Sequence, residues 1–179
     1  EGRFFPDTYQ YTLGMSDQDI LRRAHERMAS VLAEVWETRA DNLPINSPYE
    51  ALILASIVER ETGVPSERGQ IAGVFTRRLQ IGMRLQTDPT VIYGMGADYQ
   101  GKIRRRHLQQ ATPYNTYVID GLPPTPIAMP GRGALEAAVN PEPGKSLYFV
   151  AKGDGSHVFS NSLNEHNRAV RAYQLQRRS

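Results

Sequence analysis

The sequence contains no cysteine, which removes disulfides, thiolate metal sites and cysteine nucleophiles at once. No apolar run approaches the roughly 20 residues that span a bilayer. Nothing at the start has the charged, apolar and small-residue order of a secretory leader. A surplus of one charge is missing too. Twenty-one basic and 19 acidic residues leave a net charge of +2, too even a balance to argue for nucleic acid. There is no Gly-x-Ser-x-Gly elbow, no P-loop and no dinucleotide fingerprint. The four histidines, at 25, 107, 157 and 166, never fall at helical metal-ligand spacing. Internal repeats and low-complexity segments are absent. Neither a metal nor a cofactor is expected.

What is there is ordinary globular composition. The 179 residues are 40% apolar and 22% charged, enough for one domain with a proper core. The opening residues, Glu1 to Tyr9, look like mid-chain sequence, so a fragment of a longer protein is expected. Phe4, Phe5, Tyr9 and Tyr11 either line a sugar-stacking face or pack into the core. From Ser16 a long amphipathic helix runs to about residue 40, with Ala24, Met28, Val31 and Val35 among its apolar positions and His25 exposed.

The stretch Ser47 to Gly63 carries the strongest signal. Ser47, Pro48 and Glu50 spell a capped helix start with a capping box, and Gly63 followed by Pro65 supplies a stop. Between them Ala51-Leu52-Ile53-Leu54-Ala55-Ser56-Ile57-Val58 is apolar on almost every side, which predicts a buried helix. It ends in two carboxylates. At about 100° per residue, Glu61 falls in line with Leu54, Ile57 and Val58, while Glu59 points roughly 160° away. Glu61 also meets the negative end of the helix dipole. Desolvation and dipole both raise its pKa, and a carboxyl that stays protonated is what a general acid requires. The plainer alternative is that Glu59, Arg60 and Glu61 form the wet end of a helix.

A further helix is predicted from about Ser66 to Gly82, with Arg77 and Arg78 on its outer side. Met83 to Gly94 has no helical period, and Pro89 is expected to hold Asp88 extended. Arg104-Arg105-Arg106 begins a short helical turn and is the one basic patch; without interleaved aromatics it does not argue for nucleic acid. Thr112 to Ile119 reads as strand-like. Gly121 to Gly131 is a stiff, proline-dense connection suited to a cleft wall. A short helix from Ala134 to Val139 follows. Gly153-Asp154-Gly155 between two β-rich runs signals a hairpin, and Ser162 with Glu165 opens a last helix bearing Leu163, His166, Val170 and Tyr173 on one face. The fold class is α+β, with helices around a small mixed or antiparallel sheet and a hairpin near the C-terminus.

Carboxylate chemistry in a polar, aromatic-lined cleft suits glycosidic bond cleavage. A hydrolase of that kind needs a second carboxylate, for which Asp88 is the candidate. Ala55-Ser56-Ile57-Val58-Glu59-Arg60-Glu61-Thr62, Arg84-Leu85-Gln86-Thr87-Asp88-Pro89-Thr90-Val91-Ile92-Tyr93-Gly94, Tyr114-Asn115-Thr116-Tyr117 and Gly121-Leu122-Pro123-Pro124 together resemble the endolytic murein transglycosylases of the YceG-like family. The resemblance runs from Gly2-Arg3-Phe4-Phe5-Pro6-Asp7-Thr8 to His166-Asn167 and treats residues 1–179 as a single catalytic domain. It implies a lytic transglycosylase that cuts the β-1,4 bond between N-acetylmuramic acid and N-acetylglucosamine and leaves 1,6-anhydro ends. The second Glu of Glu-x-Glu-Thr, Glu61, would be the catalytic acid, with Gln86, Thr87, Asp88, Tyr114, Asn115 and Thr116 holding substrate. It further implies periplasmic placement, an N-terminal inner-membrane helix and LysM-like domain not in this chain, peptidoglycan strands as partner with cell-wall synthesis proteins as further partners, and a monomer. A muramidase-type hydrolase using Glu61 with Asp88, and a silent peptidoglycan-binding module, remain the alternatives.

Overall fold

In the computed structural model, which describes residues 1–175, the chain first settles into helix α1, Asp17–Glu37. Ser16 and Asp19 close a reciprocal capping box at its start. Ala24, Met28, Val31 and Val35 are buried along one face and His25 is exposed. Of the N-terminal aromatics only Phe5 joins the core; Phe4 and Tyr11 remain exposed.

Helix α2, Pro48–Glu61, is the centre of the packing. Ser47 Oγ accepts the Glu50 N–H at 3.2 Å, as the capping box requires, but the Glu50 carboxylate reaches past Ser47 to the Asn46 N–H at 2.6 Å. Every residue from Ala51 to Val58 is buried. Each large aliphatic side chain in that run contributes about 1.5–3 kcal/mol by leaving water. The helix ends differently from expectation. Thr62 swings into extended backbone (φ −141°, ψ 135°) and its hydroxyl accepts the Val64 N–H at 2.9 Å. A side-chain turn, rather than a left-handed Gly63, stops the helix.

After a 3-10 turn at Pro65–Glu67 comes α3, Arg68–Gln80. Helix α4 is Asp88–Met95 and α5 is Arg105–Gln109. Helix α6, Arg132–Val139, lies along α2, and α1 and α3 each touch both. Ala134 and Ala138 are fully buried at that contact, where small side chains let two backbones approach. The proline-dense connection is tied to α2 by the Ile127 N–H, which donates to Ser56 Oγ at 3.0 Å, and at its far end by the Gly131 N–H, which donates to Glu59 Oε2 at 3.0 Å. Strands β1, Tyr148–Ala151, and β2, His157–Ser160, pair antiparallel with Phe149 opposite Phe159. Gly153 and Gly155, at φ 88° and 93°, turn the hairpin in the left-handed region that glycine favours. Helix α7, Leu163–Val170, opens with the Ser162–Glu165 capping box and runs into a π-helical turn, Arg171–Leu175. The architecture is α+β, its sheet being this two-stranded hairpin.

Two segments depart from the sequence reading. Asp88 is helical and Pro89 sits in the first turn of α4, where no backbone N–H is needed; only Thr87 before it is extended. Thr112 to Ile119 forms successive turns instead of a strand. The Asn115 N–H bonds to Thr112 O, and Asn115 O accepts from Val118 and Ile119. Asn115 Oδ1 also accepts the Tyr117 N–H at 3.0 Å. An Asn that bonds its own backbone competes with a sheet ladder, and here it wins.

Candidate active site

Helix α2 delivers Glu61 as its last residue, at the edge of a cavity of about 460 Å³. Arg78, Gln86, Asp88, Tyr117, Tyr148 and His157 line the same cavity, and α7 closes it with Leu163, His166 and Val170. Leu54, Ile57 and Val58, the residues in line with Glu61, are all fully buried. Glu61 itself is half-buried and opens on the cavity. Burial pushes its carboxyl above the ordinary glutamate value, and the nearby Asp88 charge pushes the same way. The Thr87 hydroxyl, which donates to Glu61 Oε1, and the neighbouring His157 and Arg78 side chains pull it partly back. The net direction is upward.

Glu59 has a different fate two residues earlier. Its Oε2 accepts the Gly131 N–H at 3.0 Å, and Arg68 stands 3.9 Å from its Oε1. It anchors the start of α6 and takes no part in the cavity wall.

Thr87 is held by a buried hydroxyl cluster. Its N–H donates to Thr116 Oγ1 at 3.0 Å, and Thr90 Oγ1 lies 2.8 Å from both Thr87 O and Thr116 Oγ1. Gln86, just before it, takes φ 50°, and its N–H bonds to Thr116 O at 3.1 Å. That left-handed step turns Gln86 outward into the cavity while Thr87 turns inward to Glu61. Asp88 Oδ1 accepts the Tyr117 hydroxyl at 2.7 Å. Burial, then the bond to Asp88, push the Tyr117 phenol upward, so it remains a donor.

The structure sorts the expected site residues. Glu61, Gln86 and Asp88 line the cavity, and Thr87 touches Glu61. Thr116 is fully buried one bond further back. Asn115 is 1% exposed, and its Nδ2 is taken up by the carbonyls of His107, Leu108 and Gln110. It fixes a loop and presents nothing to the cleft. Tyr114 lies on another face, its hydroxyl 2.8 Å from Thr125 Oγ1 and its ring 4.9 Å from that of Tyr93.

Several wall residues were not foreseen. Arg78, expected on an outer solvated face, is 7% exposed. It donates to Leu147 O at 2.7 Å and Leu85 O at 2.6 Å, and its guanidinium lies 5.3 Å from the Tyr148 ring centroid. Arg77 is likewise spent on Ser146 O and Glu142 O. The hairpin covers the face of α3 that sequence alone leaves bare. His157 Nδ1 lies 2.7 Å from Glu67 Oε2, and its N–H donates to Glu67 Oε1 at 2.9 Å. Burial pushes Glu67 up, but these bonds more than offset it and leave the carboxyl below its ordinary value. The His166 ring stacks on Tyr148 at 5.3 Å, and burial lowers its pKa. Tyr117 alone had a sequence signal, its place beside Thr116 in a polar run.

A model of the YceG-like family matches residues 1–172. The chain belongs to the YceG-like family. This YceG-like chain is 36% identical over 173 residues to the endolytic murein transglycosylase of Bacillus subtilis (strain 168), covering 97% of itself and 48% of that protein. It is 32% identical over 176 residues to the endolytic murein transglycosylase of Streptococcus pneumoniae serotype 2 (strain D39), covering 95% of itself and 31% of that protein. A crystal structure of a yceG-like protein from Listeria monocytogenes superposes with a TM-score of 0.81 at 35% identity, over 94% of this chain and 54% of the other. The chain thus spans about half the length, or less, of these YceG-like relatives.

Proposed function

We propose that this domain is the catalytic unit of an endolytic murein transglycosylase, as its relatives are named. Residues 1–179 would act as one unit, on the periplasmic face of the inner membrane, with peptidoglycan glycan strands as substrate and, as further partners, proteins of cell-wall synthesis. The unit works as a monomer in this reading. The observation that carries it is Glu61: a carboxyl at the dry end of α2, raised by burial, touched by one hydroxyl and opening on a cavity.

In the reaction Glu61 protonates the glycosidic oxygen between N-acetylmuramic acid and N-acetylglucosamine, and the bond breaks toward an oxocarbenium-like centre. The Glu61 carboxylate so formed then takes the proton of the muramic C6 hydroxyl, whose oxygen closes on C1 to give the 1,6-anhydro end. One carboxyl serves both steps, first as acid and then as base. Asp88, ordered by Tyr117 at 2.7 Å, places a negative charge beside the cavity where positive charge develops. Gln86 offers an amide to the acetamido groups of the sugars.

A muramidase-type hydrolase is the second reading, because Asp88 lines the same cavity as Glu61 and would serve as base for a water. Digestion of purified sacculi with mass analysis separates the two. The lytic reading expects anhydro products and no oxygen from labelled water, with Glu61→Gln inactive. Reducing ends labelled from water establish the hydrolase instead. If wild type releases nothing but binds glycan, the domain is a binding module.

A further inference from the structure

Helix α4 has a cavity at each end. Asp88, its first residue, belongs to the Glu61 cavity, and Gly94 and Met95 at its far end belong to another of about 620 Å³. Eight residues at 1.5 Å rise put the two roughly 10 Å apart along the helix. The second cavity is cationic. Lys102, Arg104 and Arg106 line it together with His107, against one carboxylate, Asp98. Among the described residues no carboxylate comes within 4.0 Å of any of the three cations. They are exposed, yet the loop that carries them is pinned: the buried Asn115 amide gathers the carbonyls of His107, Leu108 and Gln110. The Arg104 N–H also donates to His107 Nδ1 at 3.1 Å. The neighbour of Asn115 is Thr116, which holds Thr87 against Glu61.

Such a wall does not suit sugar. A glycan strand whose lactyl groups are joined to peptide carries no free charge, whereas its peptide stems carry carboxylates. We propose that this cavity is a subsite for the carboxylate-bearing stem peptide of the same polymer, an inference that rests on the glycan reading above. The stem is held at one end of α4 while its strand is cut at the other. Three cations with no carboxylate in ion-pair contact among the described residues, Arg106 donating only to His107 Nε2 at 3.2 Å, give the attraction, and their exposure makes it salt-sensitive.

The test is a titration of the protein with an N-acetylated stem tetrapeptide, and with the same peptide amidated at its carboxyls, followed through backbone amide resonances. The acidic peptide should shift amides between residues 94 and 112, and the amidated one should not. Arg104→Gln with Arg106→Gln should weaken binding about tenfold, Lys102→Gln alone about twofold, and Glu61→Gln should bind as wild type does. All three altered side chains are exposed, so melting temperatures should stay level with wild type. Equal binding of both peptides, or undiminished binding by the double variant, overturns the proposal. So does an equal response to sodium phosphate at matched ionic strength, or retention on phosphatidylglycerol vesicles that the peptide does not displace. Sacculus digestion run alongside keeps the two readings apart. Peptide bound without glycan cleaved removes the lytic reading and leaves the subsite; glycan cleaved without peptide bound does the reverse.

Discussion

Glu59 and Glu61 are the same residue type, two positions apart on one helix, and the fold gives them opposite work. Glu59 reaches sideways to a backbone N–H at the start of α6 and stands near Arg68. Glu61 points along the dry face of α2 into the cavity, with a threonine hydroxyl for company. The first is a carboxylate with backbone and cation to satisfy it; the second has no ion-pair partner among the described residues and is pushed toward its protonated form. Chemistry here follows from helical phase and from what the surrounding chain leaves unpaired, not from residue type.

The widest separation between the two should come from Glu61→Gln. Its sacculus-digesting rate should fall by roughly 10²–10⁴-fold, the usual share of a general acid–base group. Stability gives an independent readout. The folded state holds the Glu61 proton to a higher pH than the unfolded chain does, so it binds more protons between the ordinary glutamate value and the raised one. Stability from this site is therefore fully present below the ordinary value and is lost as pH rises through that window. The amide variant mimics the protonated form. Its melting temperature should meet or exceed that of wild type near neutrality, and the gap should close in acid. A variant that melts lower at neutral pH would place the Glu61 charge in a salt-bridging role and break the contrast with Glu59.

A smaller effect is expected from Thr87→Val, which keeps the shape and removes the hydroxyl that steadies the Glu61 carboxylate. That bond lowers the Glu61 pKa, so its loss should move the alkaline limb of the pH–rate profile upward. The rate itself should drop about tenfold, as for one bond to a charged group. An unmoved limb would mean that Thr87 only packs. Glu59→Gln should do least. The amide oxygen still accepts from Gly131, so activity should stay within about threefold of wild type and stability should fall by about 1 kcal/mol. A collapse in rate with intact melting would hand the catalytic role to the wrong carboxylate.

The parts of the molecule written in neighbouring residues were legible in the sequence. The Ser16, Ser47 and Ser162 caps, the buried run from Ala51 to Val58 and the glycine-turned hairpin all rest on spacings of a few residues. Glu61 was legible for the same reason, since helical phase alone aims it. The walls around it were not. Arg78 meets Leu147 across 69 residues, Tyr117 meets Asp88 across 29, and His157 meets Glu67 across 90. Arg78 was misread because an arginine on a helix back looks solvated until a hairpin arrives to cover it. Thr112 to Ile119 was misread because a run of threonine, tyrosine, valine and isoleucine mimics a strand, while Asn115 satisfies the backbone from its own side chain. Asp88 was misread because a following proline argues for extension, yet the first turn of a helix tolerates one.

The backbone at Gln86 has a cost that its side chain must justify. A non-glycine residue at φ 50° sits about 1 kcal/mol above its relaxed state, a spring kept wound at the lip of the pocket. Gln86→Gly would let it unwind, trading an amide that lines the cavity for a calmer chain. The loosened protein should melt no lower than its parent and, under the proposed reaction, cut more slowly, so that at this position greater calm means lesser work.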